Sequence, residues 1–100
     1  MLIIAGEFRM QPGTRHQFFE AVAPMVEGTL TEPGCRAYAF SPDLDDDDLI
    51  RLWELWDDDV ALAGHFESEH MAVWLERYAD LPIASRNVHK YAISDVTPLP

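Results

Sequence analysis

Residues 49–56 read LIRLWELW, and a strand with one wet face does not account for them. In an extended chain, successive side chains point to opposite faces. Leu52 and Trp56 then share one face, and Trp53 and Leu55 share the other. A strand that is apolar on both faces needs cover on both sides. Glu54 falls on the face of Leu52 and Trp56. A carboxylate on a covered face needs a polar partner.

The rest of the pattern says what supplies the first cover. LIIAGEFRM (2–10) is apolar and then alternates, which predicts a strand, and QPG after it predicts a turn. Phe18, Val22 and Met25 recur at helical spacing, with Phe19 and Val26 widening the stripe. Thr14 and Gln17 have the spacing of a capping box at the start of this helix. Pro24 should kink it, and it should end near Leu30. CRAYAF (35–40) and residues 49–56 predict two strands joined by the polar turn SPDLDDDD (41–48).

Residues 57–82 read as helical, with Asp57 and Asp58 suited to the N-terminus. Leu62 and Phe66 form one apolar pair there, and Ser68 can cap a restart. Met71, Trp74, Leu75 and Tyr78 follow at helical spacing. NVHKYAISDV (87–96) predicts the fourth strand, and TPLP the tail.

The order β-α-β-β-α-β predicts an α+β, ferredoxin-like fold in one domain over residues 1–100. Right-handed crossovers put both helical segments on one face of a four-stranded antiparallel sheet. No predicted element is left for the other face of LIRLWELW. The expected cover is a second copy, so the chain should form a homodimer with sheet against sheet. A chain of 100 residues also leaves much apolar surface in water when alone.

Charge narrows the partners. Eighteen acidic residues against seven Lys and Arg give a net charge of −11. Such a chain repels phosphate backbones and anionic lipid surfaces, which excludes nucleic acid and membrane as expected partners. Cys35 is the single cysteine, so no intrachain disulfide forms, as suits a reducing compartment. MLIIAGEF lacks the basic start of a secretion signal and the length of a membrane span. The expected location is cytoplasmic.

The sequence contains no glycine-rich phosphate loop, no G-x-S-x-G, and no Cys/His run with zinc spacing. No bound metal or dinucleotide is therefore expected. DLDDDDLIRLWE (43–54) has Asp43, Asp45, Asp47 and Glu54 at calcium-loop positions, but Asp48 stands where the sharp turn needs glycine. The solvated tip of a hairpin is the better reading. The remaining candidates are Glu54, His65 and His70 as proton-handling groups. Tyr38, Trp56, Phe66 and Trp74 are candidate aromatic walls. Together they suit a pocket for a flat apolar molecule with an ionisable proton. A carboxylate can orient a histidine and raise its basicity, and Glu54 is the expected partner of His65. Simpler readings stand beside these: Trp74 and Tyr78 as core, and Glu54 paired with Arg36 or Arg51 across the hairpin.

EPGCRAYAF followed by LWELWDDDVALAGHFESEHM resembles the antibiotic biosynthesis monooxygenase family. Glu32, Gly34, Cys35 and Tyr38 stand where the family has an E-x-G-C-x-x-Y strand. Glu54 and Trp56 match its E-x-W strand end. His65, Phe66, Ser68, His70 and Met71 match its following helical stretch. The resemblance implies a dimeric α/β barrel made of two ferredoxin-like protomers. It implies a pocket between sheet and helices in which quinols or anthrone-like aromatics react with O2, with no metal, flavin or haem. His65 would be the base, or would hold the ionised substrate oxygen, with Glu54 orienting it and His70 as a second proton carrier. The alternatives are a non-catalytic small-molecule binder or sensor on the same fold and, more weakly, a haem-binding or haem-degrading protein. The haem-degrading branch has asparagine, tryptophan and histidine where this chain has Gly6, His65 and Leu75.

Overall fold

A computed structural model describes residues 1–100. The elements are β1 (Leu2–Met10), α1 (Arg15–Thr29), β2 (Cys35–Pro42), β3 (Leu49–Trp56), α2 (Asp59–Phe66), α3 (Glu69–Tyr78) and β4 (Ile83–Ala92). The strands form one antiparallel sheet in the order β2-β3-β1-β4. This is the expected ferredoxin-like arrangement, with β1 and β3 central.

Periodicity explains the layers. Phe18, Val22, Met25 and Thr29 form the buried stripe of α1, and Met71 and Trp74 that of α3. They meet the even-numbered side chains of β1 and β3, including Leu2, Phe8, Met10, Ile50, Leu52 and Trp56. The molecule measures 39 × 35 × 19 Å, and the short dimension matches one sheet plus one helix layer. The far face of the sheet is open in the single chain. Trp53 is 45% exposed there and Tyr91 is 51% exposed.

The helical region divides as its caps direct. The Asp58 side chain accepts from Ala61 N at 2.8 Å and starts α2, and the Ser68 side chain accepts from Met71 N and starts α3. The capping box at Thr14 does not form. Thr14 Oγ1 instead donates to the Gln11 carbonyl at 2.8 Å, and its side chain caps nothing in α1. α1 runs unbroken past Pro24. Phe66 is 60% exposed and so makes no buried pair with Leu62.

β4 starts at Ile83, four residues earlier than the sequence pattern predicts, and ends at Ala92. It is an edge strand bonded only to β1, and most of its residues are exposed, so Ser85, Arg86 and Asn87 give no apolar alternation to read. The acidic hairpin tip is tied down internally. Asp43 accepts from the Asp45 and Asp46 amides, Arg51 reaches Asp43, and Arg9 reaches Asp46. No helix is long and apolar enough to cross a membrane.

Candidate active site

Between the sheet and the α2–α3 corner lies a cavity of about 350 Å³ lined by 14 residues, 11 of them hydrophobic. Strand alternation selects its floor. Ile4, Phe8, Tyr38, Phe40, Leu52, Glu54, Arg86 and Val88 are all even-numbered, and the strand register sets them side by side. His65 and Phe66 from α2, with Met71, Trp74, Leu75 and Tyr78 from α3, make the opposite wall. Gly6 stands between Ile4 and Phe8 and leaves that stretch of floor without a side chain. A Cβ there would lie 2.0 Å from the Asn87 carbonyl oxygen, so no other residue is accommodated. A larger hollow of about 640 Å³ near Gly13 and Asp48 has only one hydrophobic residue and offers no comparable enclosure.

The polar groups of the cavity are few. His65 is buried, with Nδ1 3.2 Å from both oxygens of Glu32 and Nε2 3.5 Å from the Tyr38 hydroxyl. An ionised carboxylate only accepts, so this network assigns the ring proton to Nδ1 and leaves the Nε2 lone pair directed toward Tyr38. Burial pushes the His65 pKa down, and the nearby His70 adds to this, while Glu32 opposes it. His65 is thus held as a neutral, oriented acceptor. His70 Nε2 is paired with the same Glu32.

Glu54 has a single protein hydrogen bond, accepted from Trp56 Nε1 at 2.8 Å. Burial raises its pKa from 4.5 to about 7; the Trp56 donor works against this, and the charge of Glu32 reinforces it. A carboxyl group in an apolar cavity that titrates near neutrality is suited to proton transfer. Burial first, then the charges of Glu54 and Glu32, push the Tyr38 hydroxyl pKa up, so Tyr38 remains a neutral donor. Arg86 crosses the ring of Phe8 at 5.2 Å and that of Tyr78 at 6.0 Å, and it makes no ion pair.

Tyr38, Glu54, His65, Phe66 and Trp74 line one cavity. Four expectations need correction. Glu54 is not hydrogen-bonded to His65; its partner is Trp56, two residues on along the same strand face, and the carboxylate on His65 is Glu32. Nor does Glu54 pair with an arginine, because Arg36 is taken by Asp57, and Arg51 by Glu7 and Asp43. Trp56 does not wall the cavity. It is fully buried behind it, its ring 5.0 Å from that of His65. His70 also lies outside the cavity lining, on the far side of Glu32. Glu32 was visible in the sequence only as part of the E-P-G-C motif. Arg86 carries no signal in the sequence, because the strand pattern begins at Asn87 and β4 itself is an exposed edge.

Residues 1–77 match the family model described as antibiotic biosynthesis monooxygenase. An uncharacterised protein of Synechocystis sp. is 26% identical over 98 residues, covering 98% of this chain and 67% of that protein. A Deinococcus radiodurans protein provisionally named an antibiotic biosynthesis monooxygenase superposes with a TM-score of 0.87 at 18% identity, covering 100% of this chain and 99% of that one. A Mycobacterium tuberculosis protein superposes with a TM-score of 0.84 at 23% identity, covering 97% and 98%.

Proposed function

This chain belongs to the antibiotic biosynthesis monooxygenase family, and from that premise we propose that it oxidises a quinol or an anthrone-like aromatic with O2, using no bound cofactor. The observation that carries this is one apolar cavity with two proton-handling groups on opposite walls, His65 and Glu54. A flat aromatic lies between Phe40, Trp74 and Tyr78, with its hydroxyl at His65 Nε2. His65 accepts the hydroxyl proton, and the imidazolium so formed is stabilised by Glu32. Arg86, a cation without a carboxylate partner, faces the electron-rich anion. That anion supplies the electrons to O2. For an anthrone-like substrate one carbon loses two hydrogens and gains one oxygen, and the second oxygen leaves as water. Glu54, titrating near neutrality, takes the first proton from that carbon and returns it to the leaving oxygen; the second is lost as the O–O bond of the carbon-bound peroxide breaks, so both hydrogens end on the water.

The site is proposed to work in a homodimer. Trp53, Leu55, Ile3 and Tyr91 form an apolar strip on the open face of the sheet, of the kind that a second copy covers.

Oxygen uptake with a panel of hydroquinones and anthrones tests the reading. The expected result is substrate-dependent uptake that His65→Ala reduces by about 100-fold or more, the scale of a lost general base. Equal background uptake by wild type and His65→Ala overturns the assignment. One observation favours a second reading, a non-catalytic binder: Glu54 is hydrogen-bonded to Trp56 and not to His65. That reading predicts thermal stabilisation by the same aromatics without oxygen consumption.

A further inference from the structure

Glu32, His65 and His70 have a capacity that the cavity chemistry leaves unused. Their donor atoms lie within 4.8 Å of one another. They come from three places in the fold: the α1–β2 loop, the last turn of α2 and the first turn of α3. His65 Nδ1 stands 3.2 Å from each Glu32 oxygen. Ligand bonds of about 2.0–2.1 Å in a tetrahedron put neighbouring donors roughly 3.3 Å apart, so the Glu32–His65 spacing suits an ion as it stands and the closer Glu32–His70 pair opens to admit one. Two imidazoles and one carboxylate, with a fourth position left open, form a known zinc donor set.

The surroundings hold the cluster in place. A Cβ on Gly28 would lie 2.8 Å from the His70 ring, so the ring that reaches Glu32 packs directly against the bare backbone of residue 28. Ser68 Oγ donates to the His65 carbonyl at 2.6 Å and accepts from the Met71 amide, which secures the corner carrying both histidines. The cluster is also reachable without passing through the cavity. A separate hollow of about 280 Å³, lined by Glu32, Gly64, His65 and Ser68 among others, opens beside it, and the His70 side chain is 26% exposed.

We propose that Glu32, His65 and His70 bind a divalent transition metal of the zinc class. The nitrogen donors favour zinc, nickel or copper over magnesium and calcium. Coordination occupies the His65 Nδ1 lone pair, so the ring proton moves to Nε2. The nitrogen facing Tyr38 then becomes a donor, and His65 can no longer accept a substrate proton. The site is therefore a switch that turns the cavity off. The switching consequence rests on the proposed oxidation; metal binding does not.

The test uses the full chain stripped with chelator and titrated with zinc ions alone. Calorimetry should show one zinc per chain, weakened at least 10-fold by Glu32→Gln and by His70→Ala, with no magnesium binding. In wild type, nitrogen-15 NMR of the histidine rings should show zinc shifting the signals of His65 and His70, and should show the His65 proton on Nε2. This readout needs no variant to fold and no turnover, so it stands apart from any failure of the oxygen assay. Absence of zinc binding, binding unchanged in both variants, or zinc-shifted signals from His16 and His89 instead would each overturn the proposal.

Discussion

Replacing Glu54 with glutamine should remove a pH dependence from the stability of the fold, with a size set by the site. Glu54 is 6% exposed, and its pKa rises on folding from 4.5 to about 7, chiefly through burial. An acid with a raised folded-state pKa binds more protons folded than unfolded between those two values. Stability from this group therefore falls as pH rises through that window. At about 1.4 kcal/mol per pH unit, the loss is about 3 kcal/mol once pH exceeds 7. Below 4.5 the carboxyl is neutral in both states and the loss vanishes. Glutamine keeps an acceptor for Trp56 Nε1 and cannot ionise.

Urea unfolding of wild type and Glu54→Gln at one fixed protein concentration isolates the effect. Asp43 and Asp46, whose folded pKa values are lowered by backbone amides and arginines respectively, tilt the acid end of both curves alike and cancel in the difference. The variant should gain about 3 kcal/mol on wild type between pH 4.5 and pH 8, which for a domain this small is on the order of 10–20 °C in Tm. A difference that stays constant within 0.5 kcal/mol, roughly the resolution of such comparisons, would refute the reasoning. Glu54 would then be hydrated, and its proposed role as a proton acceptor tuned to neutrality would fall with it.

Two further perturbations probe the frame. Gly6→Ala should destabilise by at least about 2 kcal/mol, because its Cβ meets the Asn87 carbonyl at 2.0 Å and the φ of +157° is unfavourable for alanine; a loss below about 1 kcal/mol in urea unfolding counts against this packing of β4 on β1. Trp53→Asp places a charge in the middle of the open sheet face and should convert a dimer to monomer by light scattering, whereas an 11.4 kDa particle already in wild type at micromolar concentration would sink the proposed assembly.

What the sequence made legible follows the range of the forces involved. The face of each central strand is a matter of parity, so Leu52, Glu54 and Trp56 were placed together correctly. The starts of α2 and α3 are local too, since Asp58 and Ser68 cap amides three residues away. The bounds of β4 are not legible, because an edge strand with exposed side chains has little apolar pattern to read. The partner of Glu54 is local but not signalled by residue type: Trp56, which reads as an apolar wall, is two residues along the same face, within reach of its indole N–H.

Glu32 was hard to single out for another reason. Its position depends on three elements closing around a loop, and no periodicity records that. Two glycines carry a trace of it, one in the last turn of α1 and one in the loop that follows. Gly28 has the His70 ring 2.8 Å from where a Cβ would stand, and Gly34, at φ +80°, has the Ala61 Cβ at 2.5 Å. Both lack side chains because α2 and α3 press in at those points, and the acid between them meets both histidines. In a chain whose faces follow from alternation, a glycine in a helix's last turn and another at the end of the loop after it, with a lone acid between them, mark where distant elements converge, and here that convergence orients the histidine of the cavity.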